Sequence, residues 1–235
     1  MKISLCIPLY NEEKIIEKTM DELSLSLKER FGEDYEVIYI DDGSTDKSLD
    51  LLKKKQDGHT RIVSYLPNRG KGCAVRTGVL QARGEIVLFT DCDLAYGSEI
   101  IGEFFGYMEK NPSVDVLIGS RSKHPEGYAG YTLPRKLLSK GYLRFLSVYG
   151  GLGLSDSQSG IKAFRREAAQ KIFSLAEVDR FAFDLEIILI ARRLGRRIEE
   201  YPVKIVNHRP STIHFFRDSV RMIRDVRKIK KRIKG

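Results

Sequence analysis

The sequence predicts an α/β protein with a Rossmann-like, mostly parallel sheet between flanking helices. Short apolar runs alternate with stretches of helical periodicity over the first 120 residues, and the connections between them are short. Repeated strand–helix units of this kind make right-handed crossovers, and these build a doubly wound parallel sheet. The chain has 235 residues, of which 42% are hydrophobic, so one sizeable core can be formed.

Each element has its own signal in the sequence. Ile3–Leu9 is a continuous apolar run, which suits a strand buried on both faces. Asn11-Glu12-Glu13 is predicted to cap a helix that continues to about Arg30 and ends at Gly32. Further strands are predicted over 35–40, 61–65, 85–90, 114–118 and 198–203. Further helices are predicted from Ser44 or Thr45 to Lys55 and over 70–82, 100–109, 133–149, 165–174, 182–193 and 213–234.

The composition argues against several classes of protein. No run reaches 18 consecutive apolar residues, so no transmembrane helix is predicted. The first apolar run is short and stops at Pro8, so we expect no signal peptide and a cytoplasmic protein. Three cysteines without a C-x-x-C spacing indicate neither a disulfide framework nor a structural zinc site. Cys6 and Cys92 are predicted to be small buried hydrophobic residues.

The net charge of +9 is concentrated near the C-terminus, where residues 213–235 carry nine basic and two acidic residues. Apolar residues recur there at helical spacing beside the basic ones. We therefore predict a first domain over 1–212 and a basic amphipathic helix over 213–235, which can lie peripherally on a membrane surface. The alternative is a helix packed on the core with a solvated basic end. Nucleic acid is not expected as a partner, because no aromatic platform is interleaved with the basic residues.

Polar residues follow three of the predicted strands, at the end of the sheet where parallel α/β proteins bind ligands. Asp41-Asp42 follows the second strand, Asp91-Cys92-Asp93 the fourth, and Pro8-Leu9-Tyr10-Asn11 ends the first. Asp91 and Asp93 project to the same side of an extended segment. They can hold one Mg²⁺ or Mn²⁺ ion and leave positions for phosphate oxygens. A surface turn or a helix cap is the alternative interpretation.

Other polar clusters are open to two interpretations. Asp41-Asp42 can accept hydrogen bonds from a base or a ribose, or can cap the next helix. The turn Asn68–Gly72 has the composition of a phosphate loop without the Walker spacing, and Lys71 and Arg76 either face a donor or are solvated. Phe183–Glu186 places two acids in an apolar helix, so at least one should be buried with a partner or a catalytic task.

Seven motifs in this order resemble glycosyltransferase family 2, specifically its polyprenyl-phosphate branch. The resemblance covers nearly the whole chain and rests on Pro8–Glu12, Asp41–Asp46, Gly70–Gly72, Asp91–Asp93, Gly119–Arg121, Asp156–Gly160 and Phe183–Glu186. It implies a metal-dependent hexosyltransferase with the nucleotide-sugar-transferase form of the Rossmann-like fold, in which Asp93, Asp156, Arg121 and Arg135 are the catalytic residues. It also implies that the nucleotide sugar is held by Pro8, Tyr10, Asn11, Glu12, Asp41, Asp42, Lys71, Asp91 and Gln158.

Within these roles, the resemblance implies that Arg121 and Arg135 bind the acceptor phosphate and that Asp156 and Gln158 line the sugar end of the site. Ala95 stands where some mannosyl-transferring members carry a polar metal ligand, which disfavours GDP-mannose as the donor. The stretches 156–168 and 178–189 are most similar to glucosyl-transferring members, which favours UDP-glucose.

The expected reaction is inverting transfer of a hexose to a polyprenyl or dolichyl phosphate at the cytoplasmic face of a membrane. A phosphate monoester has a second pKa of about 6, so this acceptor is a nucleophile without a general base. The alternatives are transfer from GDP-mannose, or transfer to a glycan hydroxyl with Asp156 as the base. A separate membrane-anchoring protein is compatible with the lack of spans. A nucleotidyltransferase is disfavoured because the first strand–helix loop lacks a glycine-rich signature. A non-catalytic adaptor is also disfavoured, because acidic residues without a catalytic task would repel an anionic lipid.

Overall fold

The computed structural model of the chain describes residues 1–131, 141, 153–207, 229, 231 and 232. The strands are β1 Ile3–Leu9, β2 Tyr35–Asp41, β3 Thr60–Ser64, β4 Ile86–Phe89, β5 Val116–Ser120, β6 Lys162–Arg165 and β7 Ile198–Pro202. The helices are α1 Ile16–Phe31, α2 Ser48–Lys55, α3 Lys71–Gln81, α4 Glu99–Lys110, α5 Arg166–Ser174 and α6 Phe183–Arg193.

The described residues form one seven-stranded sheet in the order β3-β2-β1-β4-β6-β5-β7. β6 runs antiparallel to its neighbours β4 and β5, and the other neighbouring strands are parallel. The mostly parallel α/β fold predicted from the sequence is therefore confirmed. β6 itself was not among the predicted strands, because it has only four residues and begins with the charged Lys162.

Helices cover both faces of the sheet, which explains why its central strands are apolar throughout. Ile3, Leu5 and Ile7 of β1 lie in a core that includes side chains from α1, α2 and α4. Cys6 of the same strand lies in a second core with side chains from α3, α5 and α6. Alternate residues of a strand point to opposite faces, so both sets are buried. The three cysteines are free and buried, as predicted for Cys6 and Cys92.

The predicted starts of the first two helices are wrong. α1 begins at Ile16 and α2 at Ser48, and neither has a side-chain hydrogen bond at its cap. The side-chain oxygen of Asn11 instead accepts the backbone N–H of Thr45 at 2.8 Å. In return, the Ser44 hydroxyl accepts the N–H of Asn11 at 2.9 Å. These polar residues join the loops after β1 and β2 to each other instead of capping the helix that follows each loop.

The C-terminal part of the chain lies largely outside the described residues. The predicted helix over 133–149 falls outside them, and so does the helix over 213–234 apart from Ile229, Lys231 and Arg232. The division into 1–212 and 213–235 therefore stays a prediction. Ile229 is buried. Within the described ranges, no helix has the length and apolar character to cross a membrane.

Gly84, just before β4, provides a test of the packing at the amino ends of β1 and β4. A Cβ at this position would lie 2.4 Å from the backbone nitrogen of Ser4 and 2.5 Å from the carbonyl carbon of Ile3. Because backbone atoms cannot yield as a side chain does, we expect Gly84→Ala to lower the free energy of unfolding by about 1–3 kcal/mol. Urea denaturation measures the change. The matched control is Gly58→Ala, where no atom lies within 4 Å of the added Cβ, and equal effects of the two variants would contradict this packing argument.

Candidate active site

The carboxyl ends of β2, β1 and β4 are neighbours, because these strands are adjacent in the sheet. The loops that carry Asp41, Tyr10 and Asp91 therefore meet at one edge, as the sequence predicts. Asp91 lies in the turn after β4, and its carboxylate forms an ion pair with the ammonium group of Lys71. Asp93 lies in the same turn, where its carboxylate accepts the N–H of Ala95 at 3.1 Å.

The first loop brings four of the predicted nucleotide-binding residues to this edge. Pro8 is buried near the end of β1, whereas the Tyr10 side chain is 45% exposed. The N–H of Glu12 donates to the Ser48 hydroxyl at 2.8 Å, in addition to the contacts that hold Asn11. The loop is thus fixed through its backbone, while Tyr10 stays exposed.

Asp41 and Asp42 are both buried, but they have different partners. Asp41 accepts the N–H of Ser44 at 3.0 Å and the hydroxyl of Ser64 at 2.8 Å. Asp42 accepts the backbone N–H groups of Arg69 and Gly70, each at 2.8 Å, and the Asn68 side chain also donates to it at 2.8 Å. The Asp42 carboxylate therefore fastens the turn that precedes α3. The nucleotide contact predicted for Asp42 from the sequence stays a prediction beside this supporting role.

Gly70 and Gly72 allow the turn to make close contact with the loop after α5. A Cβ at Gly70 would lie 2.6 Å from the carbonyl oxygen of Asp179, and one at Gly72 would lie 2.4 Å from that of Val178. The Asp179 carboxylate also accepts a hydrogen bond from Arg76 at 2.5 Å. Arg76 therefore joins helix α3 to the loop after α5, and neither of the alternatives predicted for it describes its position.

A buried carboxylate holds this second loop in place. Glu186 of α6 is fully buried and accepts the N–H groups of Glu177 at 3.1 Å and Val178 at 2.8 Å. The guanidinium group of Arg232 donates to both Glu186 and Glu177. The expectation that a buried acid in this helix has a partner is confirmed. The partner, in the basic C-terminal segment, was not predicted, because no spacing pattern links residues so far apart.

A second buried acid in α6 forms an ion pair inside the protein. Lys162 of β6 is fully buried, and its ammonium group donates to the Asp184 carboxylate and, at 2.7 Å, to the carbonyl oxygen of Ser159. Burial lowers the pKa of Lys162 and raises that of Asp184, and the opposite charge of the partner offsets part of each effect. Lys162 was missed by the sequence analysis, although a single charge in the apolar run 161–164 is a signal for a buried pair.

A group of four charged side chains is formed by Lys71, Asp91, Lys162 and Asp184. Burial opposes the ammonium charge of Lys71, but the carboxylates of Asp91 and Asp184 outweigh this effect and raise the pKa of Lys71. Of the two interpretations left open for Lys71, the one in which it points into the site agrees with this position. Solvated charge at the start of the helix does not, since only 23% of its side chain is exposed.

Asp156 is fully buried and forms a bidentate ion pair with Arg121. Arg121 donates to its two oxygens from Nε at 2.6 Å and from a terminal nitrogen at 2.9 Å. Burial opposes the charge of Arg121, and the attraction of Asp156 outweighs it and raises the pKa of Arg121. A carboxylate engaged in this way is a poor general base, so the alternative role predicted for Asp156 is disfavoured. Glu200 of β7, which the sequence analysis missed, accepts the N–H of Asp156 at 3.0 Å.

The loop 156–160 packs directly against the turn that carries Asp91. A Cβ at Gly160 would lie 2.1 Å from an oxygen of the Asp91 carboxylate, so only glycine allows this approach. Gln158 belongs to this loop, and its side-chain nitrogen is buried without a hydrogen-bond acceptor among the residues that the structure describes. A buried donor of this kind is rare unless an ordered water or a ligand completes it. Arg135, the remaining predicted site residue, lies outside the described residues.

The donor atoms at this edge fit a hard divalent cation. Asp91 and Asp93 supply carboxylate oxygens, the ligands that Mg²⁺ and Mn²⁺ prefer. In the described part of the chain, no group of three acidic, histidine or cysteine side chains could hold a metal ion. Two carboxylates leave coordination positions for phosphate oxygens and water, which suits a metal that binds together with a diphosphate.

Comparison with known proteins gives the family. A family model described as Glycosyl transferase family 2 matches residues 4–173. This chain belongs to glycosyl transferase family 2. Curated relatives named dolichyl-phosphate beta-glucosyltransferase include one from Trichomonas vaginalis, 36% identical over 86% of this chain and 65% of its own length. Another, from Dictyostelium discoideum, is 32% identical over 97% of this chain and 73% of its own length. The chain thus spans about two thirds of the length of these relatives.

Solved structures confirm the glycosyltransferase form of the Rossmann-like fold. Glucosyl-3-phosphoglycerate synthase from Mycobacterium tuberculosis, in complex with Mn²⁺, uridine diphosphate and glucosyl-3-phosphoglycerate, superposes with a TM-score of 0.72 at 22% identity. The superposition covers 99% of this chain and 79% of that one. At this identity the likeness establishes the fold alone.

The contact between Arg232 and Glu186 can be tested by its effect on stability. Arg232→Met leaves a buried carboxylate without its cation, so we expect the free energy of unfolding to fall by about 1–2 kcal/mol, a figure discounted because the guanidinium group is one-third exposed. The matched control is the exposed neighbour Lys231, because Lys231→Met removes the same charge and should change stability by less than about 0.5 kcal/mol. Equal urea midpoints for the two variants would show that the contact with Glu186 contributes nothing.

Proposed function

We propose that this protein transfers glucose, with inversion, from UDP-glucose to dolichyl phosphate or a related polyprenyl phosphate. The observation that carries the proposal is the packing of loop 156–160 against the Asp91 turn. The same loop contains Gln158, whose buried side-chain nitrogen lacks an acceptor among the described residues, a requirement that a sugar hydroxyl would meet. The names of the curated relatives supply the sugar and the acceptor.

The donor would lie across the carboxyl ends of β2, β1 and β4. Asp41 and the loop Pro8–Glu12 would contact the nucleoside, and Gln158 would donate to a hydroxyl of the sugar. Asp91 and Asp93 would hold Mg²⁺ or Mn²⁺, which neutralises the charge of the leaving diphosphate. Some structures of the mycobacterial relative contain uridine diphosphate with Mn²⁺ or with Mg²⁺, which supports this choice of ion and base.

The acceptor phosphate would approach Arg121. Its guanidinium group is held by Asp156 on one side, and its planar fork has five N–H donors, so donors remain for phosphate oxygens. Tyr128 limits the orientation of the group, since its ring centroid lies 5.8 Å from the guanidinium carbon. We propose that Arg135 contributes a second positive charge.

The chemistry needs little proton transfer under this proposal. The acceptor is a dianion at neutral pH, so its oxygen can attack the anomeric carbon without a base. The protein's task is to bring two anionic substrates together, which Arg121 and Lys71 favour by charge. Attack opposite the leaving diphosphate inverts the anomeric carbon. The engagement of Asp156 with Arg121 favours this acceptor over a hydroxyl, which would require a free base.

The acceptor lipid places the reaction at a membrane surface. We propose that the basic segment 213–235 contacts anionic lipid at the cytoplasmic face, and that the protein is peripheral to the membrane. A separate anchoring protein stays a prediction, and no nucleic-acid partner is proposed.

Transfer of labelled glucose from UDP-glucose to dolichyl phosphate in detergent with Mn²⁺ tests the proposal. GDP-mannose and UDP-GlcNAc serve as parallel donors. We expect lipid labelling from UDP-glucose and a loss of at least about a hundredfold in Asp93→Asn, because one metal ligand is removed. Asp50→Asn, an exposed acid of α2, is the matched control and should retain full activity. Labelling of a glycan hydroxyl with no labelling of the lipid would reject the acceptor.

The role of Gln158 can be separated from stability. Gln158→Met preserves the size of the side chain and removes a donor without an acceptor among the described residues, so the free energy of unfolding should not fall. The KM for UDP-glucose should rise about tenfold, the value of one lost hydrogen bond. Gln56→Met is the opposite control: its amide donates to the Thr60 carbonyl at 3.1 Å, so stability should fall while KM is unchanged. An unchanged KM in Gln158→Met would remove this residue from the donor site.

A further inference from the structure

We infer that, when no donor is bound, the Lys71 ammonium group pairs with Asp91 in place of the metal ion. The metal and the nucleotide diphosphate would then bind together. The inference rests on the proposed function and assigns Lys71 a regulatory role within the same site. It starts from the ion pair between the Lys71 ammonium group and one oxygen of Asp91, a carboxylate also proposed as a metal ligand.

The surroundings of Asp91 make this ion pair a competitor of the metal. One carboxylate oxygen faces the backbone of Gly160, which approaches so closely that an added Cβ would lie 2.1 Å away. The other oxygen is the one that Lys71 contacts. A cation that approaches Asp91 therefore meets an ammonium group that holds the same carboxylate and repels a second positive charge.

The group of four charges keeps Lys71 in this position. Asp184 attracts the ammonium group of Lys71, and Asp184 is itself fixed by the buried Lys162. Two ammonium groups thus face two carboxylates, and the group has no net charge. One of the two proposed metal ligands is thus held by an ammonium group, and one carboxylate binds a divalent ion more weakly than two.

A nucleotide diphosphate changes this balance, because it brings negative charge to the same edge. Lys71 is the first residue of α3, and the turn before it is fixed by Asp42 and by the loop around Asp179. Its flexible side chain can therefore turn from Asp91 to a phosphate oxygen while its backbone stays in place. The Asp91 oxygen released in this way is then a metal ligand, so each ligand favours the binding of the other.

Binding of Mn²⁺, followed by the electron paramagnetic resonance signal of the free ion, tests the inference without turnover. For the unchanged protein we expect weak binding of Mn²⁺ alone and binding at least about fivefold tighter with uridine diphosphate, within the usual range of coupling between sites. Lys71→Met should bind Mn²⁺ alone more tightly than the unchanged protein, and uridine diphosphate should tighten that binding by a smaller factor than in the unchanged protein. A residue with a purely structural role would weaken both.

Three variants serve as controls. Lys54→Met removes an exposed lysine of α2 and should bind Mn²⁺ as the unchanged protein does. Lys71→Arg keeps the positive charge, but a guanidinium group can hold Asp91 and a phosphate together, so this variant should show weaker coupling than the unchanged protein. Lys71→Gln replaces the ammonium group with an uncharged polar side chain. It provides the same comparison if Lys71→Met fails to fold.

Two results would overturn the inference, and they differ in what they imply for the proposed function. If the unchanged protein binds Mn²⁺ with uridine diphosphate, but Lys71→Met and Lys71→Gln bind Mn²⁺ alone no more tightly, the role of Lys71 is rejected and the proposed reaction stands. If the unchanged protein binds no Mn²⁺ even with uridine diphosphate, both the inference and the metal in the proposed function are rejected.

Discussion

The buried ion pair between Lys162 and Asp184 is the interaction on which the geometry of the site depends. β6 lies between β4 and β5 and carries the Lys162 ammonium group into the interior, where Asp184 and the Ser159 carbonyl satisfy it. Burial of a charge without a partner is costly, so strand, helix α6 and loop 156–160 are held to one relative arrangement. The same loop reaches Asp91 through Gly160, and Asp184 also attracts Lys71. The Lys162–Asp184 pair thereby positions both loop 156–160 and Lys71, which belong to the proposed site.

The second constraint is that the site is built from loops, each of which is fixed by a buried carboxylate. Asp42 accepts two backbone N–H groups of the turn before α3, and Glu186 accepts two from the loop after α5. The two loops meet where Gly70 and Gly72 leave no room for a Cβ. Arg232 donates to Glu186, so this residue of the basic C-terminal segment contacts the carboxylate that fixes the loop after α5.

The local pattern of the sequence predicts the fold class and the acids at the strand ends, but not the contacts between distant loops. Apolar runs identify β1 and β2, and the position of Asp91 and Asp93 after a buried strand predicts that they belong to the site. Asn11 and Thr45 are 34 positions apart, and their hydrogen bond replaces the helix caps that local rules predict. Arg232 and Glu186 are 46 positions apart. Such pairs follow from the way the chain packs, so no periodicity or spacing in one sequence reveals them.

Without substrates, Asp91 at the proposed donor end is paired with a lysine, and Asp156 at the proposed acceptor end is paired with an arginine. The two cations differ in what they can do when a phosphate binds. Lysine carries a compact charge on a flexible stem, so Lys71 can leave Asp91 for a phosphate and release a metal ligand. Arginine carries a rigid fork of five donors, so Arg121 can bind a phosphate while it still holds Asp156. Under the proposed function, an exchangeable cation suits the donor end, where the metal would enter with the diphosphate. A shared cation suits the acceptor end, where the attacking phosphate would be oriented and no acid would need to be released.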